Sequence, residues 1–170
     1  MAYDSLILNL DLELYALIDY EKKYKDALIR LLEEVYAEYN QVLELETLDS
    51  DLFKIKTKYK NPSVFRILVD KSNDKLIGSV AVKIKNNNAE LKRVFLQKNY
   101  RGQGLGKYMS LWGFNYAKEK GFKYIDIWSD VLFINAHVLY KKLGAEDMNK
   151  KRFIGGINNI SEYYFRKSFG

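Results

Sequence analysis

The sequence predicts an α/β protein in which one mixed, mostly antiparallel sheet is flanked by helices. Segments whose apolar residues recur at helical spacing alternate with short runs rich in β-branched and aromatic residues. Three of these runs follow one another through tight polar turns, which predicts an antiparallel meander. A glycine-rich stretch then separates the third run of the meander from an amphipathic helix. Together these observations indicate one sheet with helices packed against it.

The first half of the chain predicts a strand, two helices and the meander. Residues 12–20 predict a strand, and residues 24–39 a helix with a regular apolar face. Residues 49–60 predict a shorter helix, which Ser50 or Asp51 could cap. The meander strands are residues 63–70, 75–85 and 89–97, joined by turns of sequence KSND and NNN.

The second half predicts two more helices and three more strands. Residues 107–121 and 135–144 are amphipathic, and each segment ends in a glycine, which is typical of a helix C-terminus. Residues 124–129 predict a strand between these helices. A final strand pair ends at residues 161–167, so the whole order is β-α-α-β-β-β-α-β-α-β-β.

Composition excludes several classes of protein. The 170 residues are 48% hydrophobic and 15% aromatic, so we expect a single domain over residues 1–170 with one sizeable core. No cysteine and a single histidine, His137, exclude thiolate sites and a multi-histidine metal centre, so we expect no metal. Apolar runs are too short to cross a bilayer and the N-terminus lacks signal-peptide features. We therefore expect a cytoplasmic protein with no membrane partner.

Charge is distributed unevenly along the chain. Residues 1–60 carry 8 Lys and Arg against 13 Asp and Glu, a net charge of −5, whereas residues 61–170 carry 20 against 9, a net charge of +11. The basic part could bind a nucleic acid or a small phosphorylated ligand, or it could simply be a solvated lysine-rich surface.

The stretch NYRGQGLGKYMS, residues 99–110, places Gly102, Gly104 and Gly106 between a strand and a helix. Such a turn presents free backbone N–H groups at the positive end of a helix, where an anion can bind. Glycine lets a phosphate approach the backbone closely. A P-loop would need a hydroxyl residue after Lys107, and the dinucleotide fingerprint would need glycine in place of that lysine. An ordinary glycine-rich turn is the other interpretation.

Two motifs resemble the GCN5-related N-acetyltransferase (GNAT) superfamily. LKRVFLQKNYRGQGLGKYM is similar to its motif A, in which Arg or Gln is followed after two residues by Gly and, after one more, by Gly or Ala. Arg101, Gly104 and Gly106 fill those positions. WSDVLFINAHVLYKKLGAED is similar to motif B, where Ala136 and Tyr140 match the family pattern. Gly144 also matches, although alanine follows it where phenylalanine is usual.

The resemblance implies transfer of an acetyl group from acetyl-CoA to an amine, and a GNAT-type sheet with a splay between the fourth and fifth strands. It assigns the CoA pyrophosphate to backbone N–H groups of residues 103–107, and the pantetheine arm to the splay. The cofactor-binding candidates are Phe95, Leu96, Arg101, Gly102, Gln103, Gly104, Leu105, Gly106, Lys107, Asn135 and Tyr140. Asn135 is displaced from the family's asparagine position, which Phe133 occupies.

The chemistry needs a base for the amine and an acid for the leaving thiolate. Tyr140 matches the family position whose hydroxyl faces the thiol, so it is the candidate acid; the alternative is one more core aromatic among 14 tyrosines. Glu90 lies six residues before Leu96, at the distance seen for the glutamate of histone acetyltransferases in the superfamily, so it is the candidate base. Many relatives use other residues or ordered water, so the alternative is that Glu90 is a solvent-facing strand carboxylate without a role in the reaction. His137 could hydrogen-bond the helix cap or contact substrate, and a structural role is the more common one for a lone histidine. Asp130 could cap the following helix.

The acceptor is the least defined part of the prediction. In the family the segment between the first two helices lines the acceptor side, and here it carries Glu44, Glu46, Asp49 and Asp51. This acidic lip favours a cationic acceptor, such as a polyamine, an aminoglycoside, a small amine or a peptide lysine. A solubilising acidic loop is the alternative.

Other functions stay open. A GNAT-fold module could bind acyl-CoA without turnover, and an O-acyl acceptor or a longer acyl donor is also compatible with the motifs. A nucleic-acid-binding domain fits the basic half, but no recognition motif is present, so we expect no nucleic-acid partner. Residues 1–11 suggest an extra edge strand, a contact in a homodimer, or a tail.

Overall fold

The computed structural model describes residues 13–170, and its elements follow the predicted order. The α-helices are α1 (Lys25–Ala37), α2 (Ile55–Lys58), α3 (Leu105–Glu119) and α4 (Ile134–Lys142). The strands are β1 (Tyr15–Asp19), β2 (Val64–Asp70), β3 (Lys75–Lys85), β4 (Asn88–Leu96), β5 (Tyr124–Asp130), β6 (Glu146–Gly155) and β7 (Ile160–Ser168). The predicted extra strand or tail over residues 1–11 lies outside the described residues. Within residues 13–170, no helix is long and apolar enough to cross a membrane.

The seven strands of the described part of the chain belong to one sheet, in the order β1-β2-β3-β4-β5-β7-β6. Every neighbouring pair is antiparallel except β4 and β5, which are parallel. That parallel pairing covers only Glu90 with Asp126 and Leu91 with Ile127. Beyond Leu91 the two strands separate. The mostly antiparallel sheet with a splay between the fourth and fifth strands is therefore confirmed.

A β-bulge in β4 lies where the separation begins. Ser79 of β3 is opposite Phe95, but Ala81 is opposite Lys92, so β4 has one residue more than its partner between these pairs. Arg93 in the bulge has a φ of +55°, which is uncommon for a residue with a side chain. Such a bulge bends its strand and stops regular pairing, and here it directs the end of β4 away from β5.

Helices cover both faces of the sheet. On one face α3 and α4 pack over β4, β5 and β7, with Met109 and Phe114 of α3 in the core. On the other face α1 packs through Leu28 and Leu32 against β2 and β3, together with residues from the α2 region. Gly113 lets α3 lie close to β4, because a Cβ there would collide with the Leu91 side chain.

The prediction of one helix over residues 49–60 was wrong. The structure has a 3₁₀ turn at Ser50–Phe53 and the single turn of α2, separated by a non-helical Lys54. Neither Ser50 nor Asp51 caps a helix. The carboxylate of Asp51 is instead bound by the guanidinium of Arg93, a long-range contact that overrides the local helical pattern.

Candidate functional site

Two cavities meet at the splay between β4 and β5. The larger, of about 500 Å³, lies between the splay, the glycine loop and α4; we call it the glycine-side cavity. The smaller, of about 230 Å³, is lined by β4, the end of β5, the β6–β7 pair and the loop after α1; we call it the strand-side cavity. Both cavities are lined by the same five residues at their junction: Val94, Phe95, Phe133, Ala136 and Tyr140.

The N-terminus of α3 opens into the glycine-side cavity without a cap. Gly104 is the residue before the helix, with a φ of +87°, and no side chain among residues 13–170 bonds the first-turn N–H groups. No acidic residue lies in that first turn. The N–H groups of residues 105–107 are therefore open to an anion at the positive end of a 15-residue helix.

Two different physical features explain why glycine stands at the three positions of the loop. Gly102 and Gly104 have φ values of +78° and +87°, which side-chain-bearing residues rarely adopt. Gly106 has no such φ, and a Cβ there would meet only the Leu139 side chain at an ordinary distance of 3.5 Å. Neither the backbone conformation nor the packing requires glycine at position 106. The absence of a side chain there instead leaves the cavity open. A bound phosphate fits this arrangement.

Most of the predicted cofactor-binding residues line the glycine-side cavity. They are Phe95, Leu96, Arg101, Gly102, Gly104, Gly106, Lys107, Asn135 and Tyr140. Leu105 is fully buried in the core, so only its backbone could contact a ligand. Gln103 is exposed, and its side-chain oxygen accepts a hydrogen bond from the Tyr15 hydroxyl at 3.1 Å. The roles of these residues remain predictions.

The side chain of Arg101 already has partners. Its guanidinium donates to both carboxylate oxygens of Glu38, at 2.7 and 2.8 Å, and to the backbone carbonyl of Leu96 at 3.0 and 3.1 Å. This side chain therefore ties the glycine loop to the end of α1 and to the end of β4. Arg101 shapes the cavity wall in addition to lining it.

Tyr140 lies where the two cavities meet. The side chain is buried, and its ring packs on Phe165. Within residues 13–170 its hydroxyl has no hydrogen-bond partner. Burial raises the pKa of this hydroxyl well above the ordinary value of 10.0, so it is protonated at neutral pH. An unpaired, protonated hydroxyl in this position can donate a proton to a ligand that spans the cavities.

Glu90 lines the strand-side cavity and belongs to the first of the two residue pairs that join β4 to β5, one residue before the last pair at Leu91. Its carboxylate is partly exposed, and the Lys92 ammonium lies 3.5 Å away. The structure thus brings both predicted reaction residues, Tyr140 and Glu90, to the wall of one cavity.

Sequence reasoning missed Arg93. Its buried guanidinium donates to Asp49 at 2.8 Å and to both oxygens of Asp51, while the hydroxyls of Tyr36 and Tyr59 donate to the same carboxylates. Burial opposes ionisation of Asp51, but the adjacent Arg93 lowers the pKa of Asp51 below its ordinary value. No local sequence pattern predicts this cluster, because more than 40 residues separate the arginine from either carboxylate.

The predicted acidic lip is therefore mostly engaged in internal contacts. Asp49 and Asp51 pair with Arg93 as described. Glu44 is buried, and it accepts hydrogen bonds from the backbone N–H of Ile157 at 2.9 Å and from Asn158 at 3.3 Å, which holds the β6–β7 turn. Glu46 alone among the four is exposed.

The strand-side cavity nevertheless has a negative balance. Its wall carries the four carboxylates of Asp49, Glu90, Asp130 and Glu162. Against them stand the three cations Lys92, Arg93 and Arg152. The difference is one net negative charge, and Asp51 adds a second behind the wall because Arg93 is shared between two aspartates.

The end of β5 contributes further polar groups. Ser129 lines the strand-side cavity, and its hydroxyl oxygen lies 3.2 Å from Nε2 of His137 on α4. Asp130 accepts hydrogen bonds from the side chain of Gln41 at 2.7 Å and from the backbone N–H of Leu132 at 2.9 Å. Asp130 thus supports the turn that leads into α4, but it is not the expected helix cap, because Phe133 occupies the N-cap position.

Comparison with known proteins agrees with this geometry. Residues 26–145 match the family model described as "Acetyltransferase (GNAT) family". An uncharacterized N-acetyltransferase of Methanocaldococcus jannaschii is 32% identical over 59 residues, which is 35% of this chain and 26% of that protein. The chain thus matches about a quarter of the length of that curated relative.

Solved structures share the fold over nearly the whole chain. An acetyltransferase of the GNAT family from Staphylococcus aureus Mu50 superposes with a TM-score of 0.77 at 20% identity, covering 92% of this chain and 99% of that one. An acetyltransferase from Streptococcus agalactiae 2603 gives the same TM-score and identity, with 91% and 98% covered.

Proposed function

Because this chain belongs to the acetyltransferase (GNAT) family, we propose that it transfers an acetyl group from acetyl-CoA directly to a primary amine of a cationic acceptor. The observation that carries the proposal is the Tyr140 hydroxyl, which is unpaired within residues 13–170 and lies at the junction of two cavities. One cavity suits the donor and the other the acceptor. Direct transfer needs the two substrates to meet at such a junction.

The glycine-side cavity is the proposed donor site. The uncapped N–H groups of residues 105–107 would hold the pyrophosphate, and the missing side chain of Gly106 would let it come close. The unpaired inner edge of β4 beyond Leu91 would face the pantetheine arm. When bound there, acetyl-CoA supplies the activated acyl group.

Tyr140 would act as the general acid. Its pKa is raised by burial, so the hydroxyl keeps its proton at neutral pH and can give it to the leaving thiolate. Glu90, across the strand-side cavity, is the proposed base that helps the acceptor amine lose its proton.

The charge of the strand-side cavity supports a cationic acceptor. With one net negative charge on its wall, the cavity attracts an ammonium group and repels an anion. The attraction comes from the cavity wall, in contrast to the predicted acidic lip, whose carboxylates mostly have internal partners.

The test is thiol release from acetyl-CoA with a panel of polyamines, aminoglycosides, small amines and lysine peptides. We expect turnover with one cationic class, and a loss of kcat of about 10²-fold or more in Tyr140→Phe, because general acid catalysis is worth about that much. Tyr124→Phe is the matched control, since that tyrosine is on β5 but lines neither of the two cavities.

Binding of CoA should survive in Tyr140→Phe, which calorimetry can measure. Equal kcat in Tyr140→Phe and the wild type would remove Tyr140 from the reaction. Tight CoA binding without turnover for any acceptor would contradict the proposal and favour an acyl-CoA-binding module without catalysis.

A further inference from the structure

Ser129 and His137 form a buried pair that the reaction described above does not use. The serine oxygen lies 3.2 Å from Nε2 of the imidazole, and each residue is only 7% exposed. His137 is the single histidine of the chain. A hydroxyl held against a ring nitrogen is the arrangement in which imidazole can take a proton from serine.

The pair lies where the acceptor would meet the donor. Ser129 lines the strand-side cavity near the end of β5, in the segment that β4 leaves unpaired. His137 lies three residues before Tyr140 on α4, so the two side chains are on one side of the helix. Ser129 and Tyr140 both line this cavity, and His137 lies behind Ser129.

The surroundings keep the imidazole neutral. Burial between α4 and β7, against Phe165 and Tyr163, lowers the pKa of His137 below 6.5. The Lys141 charge lowers it further, while a hydrogen bond to the backbone of Asp130 and the charges of Asp130 and Asp147 act in the opposite direction. At neutral pH the ring therefore has a free nitrogen available to accept a proton.

We propose that Ser129 and His137 form a proton relay that removes the proton from the acceptor nitrogen as it attacks the acetyl group. The proposal rests on the acetyltransferase function proposed above and assigns its proton acceptor. Ser129 touches the acceptor, and His137 acts through Ser129.

Atoms and charges balance in this step. The acceptor nitrogen forms a bond to the acetyl carbonyl carbon, and the bond from that carbon to sulfur breaks. The nitrogen gives one proton to the oxygen of Ser129, whose own proton passes to Nε2 of His137. Tyr140 donates its proton to the departing sulfur. Solvent then carries the proton from His137 to the phenolate oxygen of Tyr140, which returns both residues to their starting states. The products are an amide and the free thiol.

The relay acts at a different moment from a carboxylate base. An acceptor ammonium has a pKa near 10 and must first be deprotonated, a role that Glu90 or water can perform. Once the neutral nitrogen begins to bond to carbon it becomes positively charged and far more acidic, and a weak base such as a buried imidazole can then take its proton.

The first experiment measures the protonation state of the His137 imidazole directly and does not depend on turnover. Because the chain has one histidine, NMR of ¹⁵N-labelled imidazole gives one pair of ring signals, which report the tautomer and the pKa. We expect Nε2 to be unprotonated at neutral pH and its signal to shift in Ser129→Ala. A protonated Nε2 at neutral pH would overturn the relay even if the enzyme is active.

The second experiment measures kcat and kcat/KM against pH for Ser129→Ala, His137→Gln and the double variant. Each single change should lower kcat by about 10²-fold, and the double change should cost no more than either alone, because the two groups act as one unit. Below the pKa that NMR gives for His137, the wild-type rate should fall more steeply than amine protonation alone requires. This extra slope should be missing in His137→Gln.

Two controls separate the possible failures. Unchanged CoA affinity and melting temperature in Ser129→Ala show that the site is intact, so an unchanged kcat in that variant would overturn the relay while leaving the acetyltransferase function in place. No turnover in the wild type would instead count against the function itself. An acetyl group found on Ser129 by mass spectrometry, after mixing with acetyl-CoA alone, would replace the relay with a covalent mechanism.

Discussion

Arg93 shows how a single residue can hold an unfavourable backbone conformation. A φ of +55° in a side-chain-bearing residue costs free energy, of the order of 1–3 kcal/mol, and persists only where the surroundings determine it. Here two aspartates and two tyrosines surround the guanidinium, and the Ser79 hydroxyl donates to the Arg93 carbonyl at 2.7 Å. These contacts stabilise the bulge that separates β4 from β5, so one side chain maintains the opening in which both cavities meet.

Replacing Arg93 by methionine should therefore destabilise the protein strongly. The change leaves the buried Asp49 and the half-buried Asp51 without their cation; breaking a buried ion pair typically costs about 3–5 kcal/mol. Urea unfolding measures the loss, and Arg30→Met, at an exposed position of α1, is the control. Adding Asp49→Asn and Asp51→Asn to the methionine variant should recover part of the stability. A loss no larger than that of the control would show that the cluster contributes nothing.

At the scale of an element, the glycine loop and α3 function as a unit. The loop turns at Gly102 and Gly104, and the helix that starts at Leu105 directs its free N–H groups into the glycine-side cavity. Met109 and Phe114 of the same helix are buried in the core, which prevents the N-terminus from moving away from the cavity. Core packing and anion binding thus depend on one rigid helix.

Substitutions at Gly104 and Gly106 should separate backbone strain from ligand contact. Gly104→Ala should lose about 1–2 kcal/mol of stability, because alanine is strained at a φ of +87°. Gly106→Leu should lose little stability, since its Cβ meets nothing closer than 3.5 Å, but its bulky side chain should weaken CoA binding by about tenfold or more, whereas alanine, which the motif accepts at this position, should be tolerated.

Thermal unfolding and calorimetry with CoA measure the two effects in each variant. Full CoA affinity in a stable Gly106→Leu protein would contradict the phosphate site, because the added side chain would then occupy space that no ligand uses.

At the scale of the whole molecule, the uneven charge of the chain is partly balanced by contacts between its two parts. Glu38 pairs with Arg101, Asp49 and Asp51 pair with Arg93, and Asp19 pairs with Arg66. Each of these contacts joins an acid from residues 1–60 to an arginine from residues 61–170. The sequence pattern that suggested an acidic lip and a basic anion site therefore also reflects the pairing that holds the two parts together.

This pairing predicts a specific loss of stability in acid. The folded pKa of Asp51 lies below its ordinary value of 3.8, so its contribution is fully present above about pH 4 and is lost as the pH falls through the folded value. Urea unfolding of the wild type should therefore show a steeper decline as the pH falls below about 4 than Asp51→Asn does. Parallel declines for the two proteins would mean that Asp51 titrates normally in the folded state.

The amino-acid sequence alone determined the order of the elements, the antiparallel meander and the glycine turn before a helix. These features are local: apolar periodicity, turn residues and helix-ending glycines act over a few neighbouring positions. The two motifs also indicated Tyr140 and the glycine loop as parts of a site, and the structure brings both to the wall of one cavity.

Only the tertiary structure decided how the site is assembled. The Arg93 cluster, the broken helix at residues 50–58 and the internal engagement of Glu44 all depend on partners more than 40 residues away in the chain. The meeting of the two cavities at Tyr140 likewise depends on residues that are distant from one another in the chain. Such contacts produce no periodic pattern in the sequence, because their energy comes from burying and pairing charges that only the complete fold brings together.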